Sequence, residues 1–434
     1  MRLSLLLLVS LALASAQTLE PPRYTGPGSC ASPSCHGAVQ MKTETTVQQN
    51  EYATWVVKDK HARAFANLSN DVAKRMGRLM NLKETPDKEA RCLACHALNV
   101  PDEARARTFD STDGVSCESC HGPASNWLGP HTTKGWTHQK SVEAGMKDLR
   151  DPGNRTDNCL QCHLGTRERN VDHELIAAGH PDLYFELASF STAMPKHWRE
   201  MGEKPNQPPD TYFDVRALAA GQAVQLRDQL QRVARNAQGP IWPEYADLDC
   251  FACHHSLTNT ENSWQQERGY PGRKPGNPPW NLSRYVVLRQ VVSEVDPESS
   301  RQLEDGVNRL YGMVTALNSD RGQIAALANS TSELVGRIVP KLTTASYDQA
   351  RTLRMMKAIL NDTNYITVQG ERPAEQATMA LQSLYNAYGS KAKPGNDAQI
   401  EDAIGALFKL VDNPSSYNAF KFADQMKVLG KLLP

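Results

Sequence analysis

The last third of the chain carries the clearest alternation of apolar and polar positions. Leu303, Val307, Leu310, Val314 and Leu317 recur at steps of four and three, and Ile324, Leu327, Leu334 and Ile338 follow the same rhythm. That spacing lines apolar side chains along one face of a helix. Asp296-Pro297 reads as a helix start, with Asp as N-cap and Pro at the first helical position. Lys409–Asp412 ahead of Asn413-Pro414 reads as a stop. From residue 281 to 434 the pattern predicts five to seven helices packed as a bundle, with the leucine stripes as core. A further helix is predicted over 213–236, with Leu218, Leu226, Leu230 and Val233 on its apolar side. Nearer the N-terminus, Glu51–Leu68 predicts a helix that gathers Trp55, His61, Phe65 and Leu68 near one face, followed by a second over 71–82. No segment shows strong period-two alternation. The expected fold class is mainly α, with a loop-rich region followed by an all-α helical bundle.

The N-terminus has a different character. One early arginine precedes an apolar run from Leu3 to Ala14, closed by Ala14-Ser15-Ala16. This predicts a secretory signal peptide over 1–16, cleaved after Ala16, and hence a periplasmic or otherwise extracytoplasmic protein. No later stretch of 18 apolar residues occurs, so no membrane span is expected after cleavage. Lys+Arg and Asp+Glu are both 48, a net charge of zero, which argues against a nucleic-acid partner.

Cysteine and histidine then change the picture. Cys117, Cys120 and His121 are spaced C-x-x-C-H, the pattern of covalent c-type haem attachment. In that chemistry two thiols add to the vinyl groups of one haem and the adjoining histidine ligates the iron. The pattern recurs at Cys92, Cys95 and His96, at Cys159, Cys162 and His163, and at Cys250, Cys253 and His254. A looser copy, Cys30, Cys35 and His36, has four residues between the thiols. These five sites use all ten cysteines. Disulfides or zinc clusters do not require a histidine directly after the second cysteine. With 12 histidines in 434 residues, five such placements by chance have a probability on the order of 10⁻⁸. The expected cofactor is haem c, five covalently attached groups, or four if Cys30 and Cys35 are not used. Haem propionates would make the loaded protein acidic by roughly five to ten charges, suiting a basic face on a redox partner.

Five histidines act as proximal ligands in this reading, and seven remain: His61, His131, His138, His173, His180, His197 and His255. His61 lies on a helix face, and His180 sits at a Gly-His-Pro turn. His255 directly follows a proximal histidine and is expected to ligate a neighbouring haem. Assignment of His138, His173 and His197 stays open. From about residue 281 there is neither Cys nor His. The expected organisation is a multihaem cytochrome domain over 17–258 and a helical domain without haem sites over 281–434.

The haem half resembles secreted multihaem cytochromes of the cytochrome c-554 type, related to hydroxylamine oxidoreductase. The resemblance rests on W-x5-H at Trp55–His61, GVSCESCHGP at Gly114–Pro123 with His131 downstream, and AAGHPDLYFEL at Ala177–Leu187. It implies a mostly helical fold with closely stacked haems, His61, His131 and His180 as distal ligands, and electron passage between redox proteins. The function expected is a periplasmic pentahaem cytochrome moving electrons along its haems between periplasmic or membrane-bound redox proteins, with no catalytic residue assigned. The alternatives are an oxidoreductase acting on a small nitrogen or sulfur compound at one five-coordinate haem, or a filament-forming conductive cytochrome.

Overall fold

The computed structural model describes residues 21–43, 47–199, 210–254, 279–316, 318–390 and 394–434. Among these residues the secondary structure is helical, without a β-strand. The N-terminal part holds α1 (Glu51–Lys58), α2 (Asp71–Leu79), α3 (Ala90–His96), α4 (Cys117–His121), α5 (His138–Glu143), α6 (Pro152–His163), α7 (His173–Ala177) and α8 (Leu187–Ala193). A long helix, α9 (Phe213–Gln238), leads to the rest. There follow α10 (Ser283–Val286), α11 (Leu288–Val295), α12 (Pro297–Thr315), α13 (Arg321–Thr344), α14 (Gln349–Asn361), α15 (Thr363–Val368), α16 (Glu371–Gly389), α17 (Asp397–Val411) and α18 (Ala419–Leu432).

The expected start at Asp296 is present: its side chain accepts from the Ser299 amide, and Pro297 opens α12. The stripe residues Leu303, Val307, Leu310, Ile324 and Ile338 are buried, while Leu327 and Leu334 pack against the same core; Leu317 lies outside the described residues. Nine helices follow residue 281 among the described residues, more than the five to seven expected, because α10 and α15 are short turns set against longer neighbours.

One departure and one packing feature bear on the cysteine-bearing half. The expected helix over 51–68 stops at Lys58. Asp59 takes an extended conformation, and its side chain caps a new 3-10 turn, Lys60–Arg63, by accepting from the His61 amide. An aspartate just past the helix end offers its own acceptor to the chain, which competes with helix continuation. The second feature is α9, whose Leu218, Leu226, Leu230 and Val233 share one core with α10–α18. α9 runs along α13 and also touches α6 and α8. At the α8 crossing a side chain on Gly221 would approach the Leu187 Cβ to 3.0 Å, so glycine permits the close contact.

Apolar burial is unevenly shared. Between residues 21 and 150 the buried apolar side chains are Trp55, Leu68, Ala97, Leu98, Ala124 and Trp127. A small cluster of Leu160, Leu164, Phe185, Leu187, Ala217 and Val224 joins α6 and the segment before α8 to α9. The main core spans Tyr212 to Leu433. A first part so poor in apolar contacts needs another source of interior, since burial of apolar surface is the main drive to fold.

Candidate haem-binding site

Each cysteine motif is placed by a short local element. The second, third and fourth lie at the C-terminal ends of α3, α4 and α6, so both thiols and the histidine occupy one or two helical turns. Asp151 caps α6 by accepting from the Asn154 amide, with Pro152 as its first residue. The fifth motif starts in a 3-10 turn, Cys250–Ala252, capped by Asp249. The first motif closes its wider loop with turn hydrogen bonds: the Cys35 and Gly37 amides donate to the Ser32 carbonyl at 2.8 and 2.9 Å, and the His36 amide to the Cys30 carbonyl at 3.3 Å. Gly37 is required there, since a Cβ would stand 1.8 Å from the Ala31 carbonyl oxygen. All ten cysteines are free of disulfides.

The imidazoles fall into pairs. His36 faces His131 with ring centroids 6.2 Å apart and planes 8° from parallel. His163 faces His61 at 6.2 Å, His96 faces His180 at 6.3 Å, and His254 faces His173 at 6.1 Å. Every pair joins a motif histidine to one from elsewhere in the chain. The spacing is that of two imidazoles bound to one metal from opposite sides through bonds of about 2 Å. These residues therefore fit an iron porphyrin at four positions. His61, His131 and His180 each supply the second ring of such a pair. His173 had been left unassigned, and it opens α7 behind the Asp172 cap, opposite His254.

The outer nitrogens of five of these rings are engaged. His96, His131 and His180 offer Nδ1 to the carbonyl oxygens of Ala64, Trp127 and Pro181 at 3.0, 3.0 and 2.8 Å. His36 places Nδ1 3.1 Å from Glu51 Oε2, and His61 places Nδ1 2.9 Å from Asp59 Oδ1. With Nδ1 occupied in this way, Nε2 is the nitrogen left for a metal, as second-shell contacts arrange for metal-bound histidine. The carboxylates raise the pKa of His36 and His61 above the ordinary value. Desolvation lowers His121 and His163 to about 4, which keeps both neutral with a lone pair available.

Four histidines stand apart from the pairs. His121 is near enough to His197 for a charge there to oppose its own protonation. His138 is turned away, its Nε2 lying 2.9 Å from Asp148 Oδ1. His255 lies outside the described residues.

The motifs also approach one another. Cys30 and Cys117 lie close enough to shift one another's ionisation, as do Cys95 and Cys162. The first site thus adjoins the third and the second adjoins the fourth. A buried carboxylate ties the first and third together: Glu118 accepts from the amides of Thr25, Gly26 and Ala124 at 2.9, 2.7 and 2.7 Å. The segment after His180 is fastened to the C-terminal helices. Arg372 pairs with Asp182 at 3.0 Å, Gln376 donates to the Phe185 carbonyl at 3.0 Å, and Ser383 donates to Glu186 at 3.2 Å.

Sequence reasoning left three carboxylates unnoticed. Asp59 has a local signal, an aspartate two residues before a histidine where the helix ends. Glu51 and Glu118 have none, because His36 and Thr25, which they hold, lie 15 and 93 positions away.

Among the described residues no helix is long and apolar enough to cross a membrane. Residues 29–122 match the family model described as cytochrome c554 and c-prime. Cytochrome c-554 of Nitrosomonas europaea is 31% identical to this chain over 165 residues, which are 35% of the chain and 63% of that protein. The match thus spans a little under two thirds of that relative's length. No solved structure matches the chain.

Proposed function

We propose that the cysteine-bearing half of this chain is a multihaem c-type cytochrome like cytochrome c-554, carrying haem c for electron transport, and that the protein is a pentahaem carrier working outside the cytoplasm between two redox proteins. The four opposed imidazole pairs carry this reading. Each would hold an iron on both faces, leaving no open position and confining the site to electron transfer. His36 and His131, His96 and His180, His163 and His61, and His254 and His173 are the proposed axial ligands. His197 is the proposed partner of His121. Cys30 and Cys35, Cys92 and Cys95, Cys117 and Cys120, Cys159 and Cys162, and Cys250 and Cys253 are the proposed thioether anchors.

Haem, when bound, supplies one reversible electron per iron. The protein holds the ligand rings, fixes their tautomers and brings the sites close. The adjacency of Cys30 with Cys117 and of Cys95 with Cys162 supports rapid exchange within two pairs of sites. The helices beyond residue 281 serve as a buttress, since α16 fastens the segment that follows His180.

Two measurements on the exported protein test the proposal. Intact mass should exceed the polypeptide by five haems. EPR of the oxidised protein should show low-spin bis-histidine signals alone. A high-spin species that shifts with nitrite or hydroxylamine would refute the carrier and indicate an enzyme open at one iron.

A further inference from the structure

We propose that Glu51 and Asp59 set the reduction potentials of two haems, making those at His36–His131 and His61–His163 lower in potential than the haem at His96–His180. This rests on the axial ligation proposed above. The rings at His96–His180 both donate Nδ1–H to neutral backbone carbonyls, those of Ala64 and Pro181. The other two pairs each contain a ring whose Nδ1 meets a carboxylate, Glu51 for His36 and Asp59 for His61. An ionised acceptor draws the Nδ1 proton outward and makes the ring a stronger donor through Nε2, which favours Fe(III) over Fe(II). Its negative charge acts in the same direction. Reduction adds one electron to each iron and breaks neither axial bond.

Placement supports the assignment. Glu51 is the first residue of α1 and Asp59 the first residue after it, so one eight-residue helix sets a carboxylate at each end, aimed at two different sites. Both groups are held. Glu51 Oε1 accepts from the Gln48 amide at 2.7 Å, and Asp59 Oδ1 accepts from the His61 amide at 3.0 Å. Asp59 is 2% exposed, so solvent screens its charge little. Its Oδ2 is buried without a hydrogen-bond partner. Among these three sites, electrons would therefore rest preferentially at His96–His180 once the array is partly reduced.

The test is a spectroelectrochemical titration of the full-length holoprotein, comparing wild type with E51Q and D59N, and with E51D as the conservative variant. In E51Q one haem should move to higher potential, in D59N a different one, and E51D should keep its low potential. Haem content by mass and the low-spin EPR count report separately on ligation, so a failed haem reading shows in the wild type before any variant is made. With haem content and spin state intact, unchanged titration curves in both variants overturn the proposal. So does an equal rise in E51D and E51Q.

Discussion

His36 and His131 lie opposite one another, ring centroids 6.2 Å apart and planes within 8° of parallel, although 95 positions separate them in the chain. Removing the ring that carries no cysteine motif isolates its role. In His131→Ala one haem should turn from low-spin to high-spin, and added imidazole should restore it. His138→Gln, whose ring faces Asp148, should leave the spectrum as it was. An H131A spectrum identical to wild type would remove His131 from the ligand set.

The four-residue spacer of the first motif closes only because position 37 lacks a side chain. A Cβ there would meet the Ala31 carbonyl at 1.8 Å, far inside contact distance. Gly37→Ala should therefore displace His36 or Cys35, and the intact mass should fall by one haem. A full complement in G37A would show that the loop has another way to close.

Glu118 is 1% exposed and serves three amides from two segments. Hydrogen bonds to an ionised acceptor are worth about 1.5–3 kcal/mol each, and their loss leaves buried donors unpaired. Glu118→Ala should cost on the order of 3 kcal/mol in guanidinium unfolding followed at the Soret band. A loss below about 1 kcal/mol would mean that water replaces the carboxylate.

Glu371 begins α16 with a carboxyl that burial pushes up to about 7 from 4.5. A folded value above the unfolded one gives a stabilising contribution that is complete below about 4.5 and is lost as pH rises through 7. Glu371→Gln lacks this loss. Its unfolding midpoint should gain on wild type between pH 5 and pH 8, read in parallel denaturant titrations. An identical gap between the two proteins at both pH values would place the Glu371 titration elsewhere.

How much of this was legible in the sequence depends on how local each feature is. The cysteine motifs and their histidines are contiguous, so spacing alone picks them out. The helical core was equally open to reading, because Leu303, Val307 and Leu310 report their face through intervals of three and four. His61, His131 and His180 could be named from surrounding motifs, yet nothing local tells which ring each one meets. His173 illustrates the limit: its partner lies 81 positions onward and is set by how α7 packs beside residues 245–247. The break at Asp59 was missed because Trp55, Phe65 and Leu68 keep helical spacing across a segment that a single capping side chain divides.

The fastening of residues 182–186 to α16 has a consequence for the order of events in a newborn chain. The Cys92–Cys95 motif emerges early, whereas Arg372, Gln376 and Ser383 are made nearly two hundred residues after the segment they hold. Under the ligation proposed above, a haem joined to Cys92 and Cys95 would take His96 from the same helix, whereas the loop carrying His180 would be secured only when α16 packs against it. Until then that site would stay open on one side.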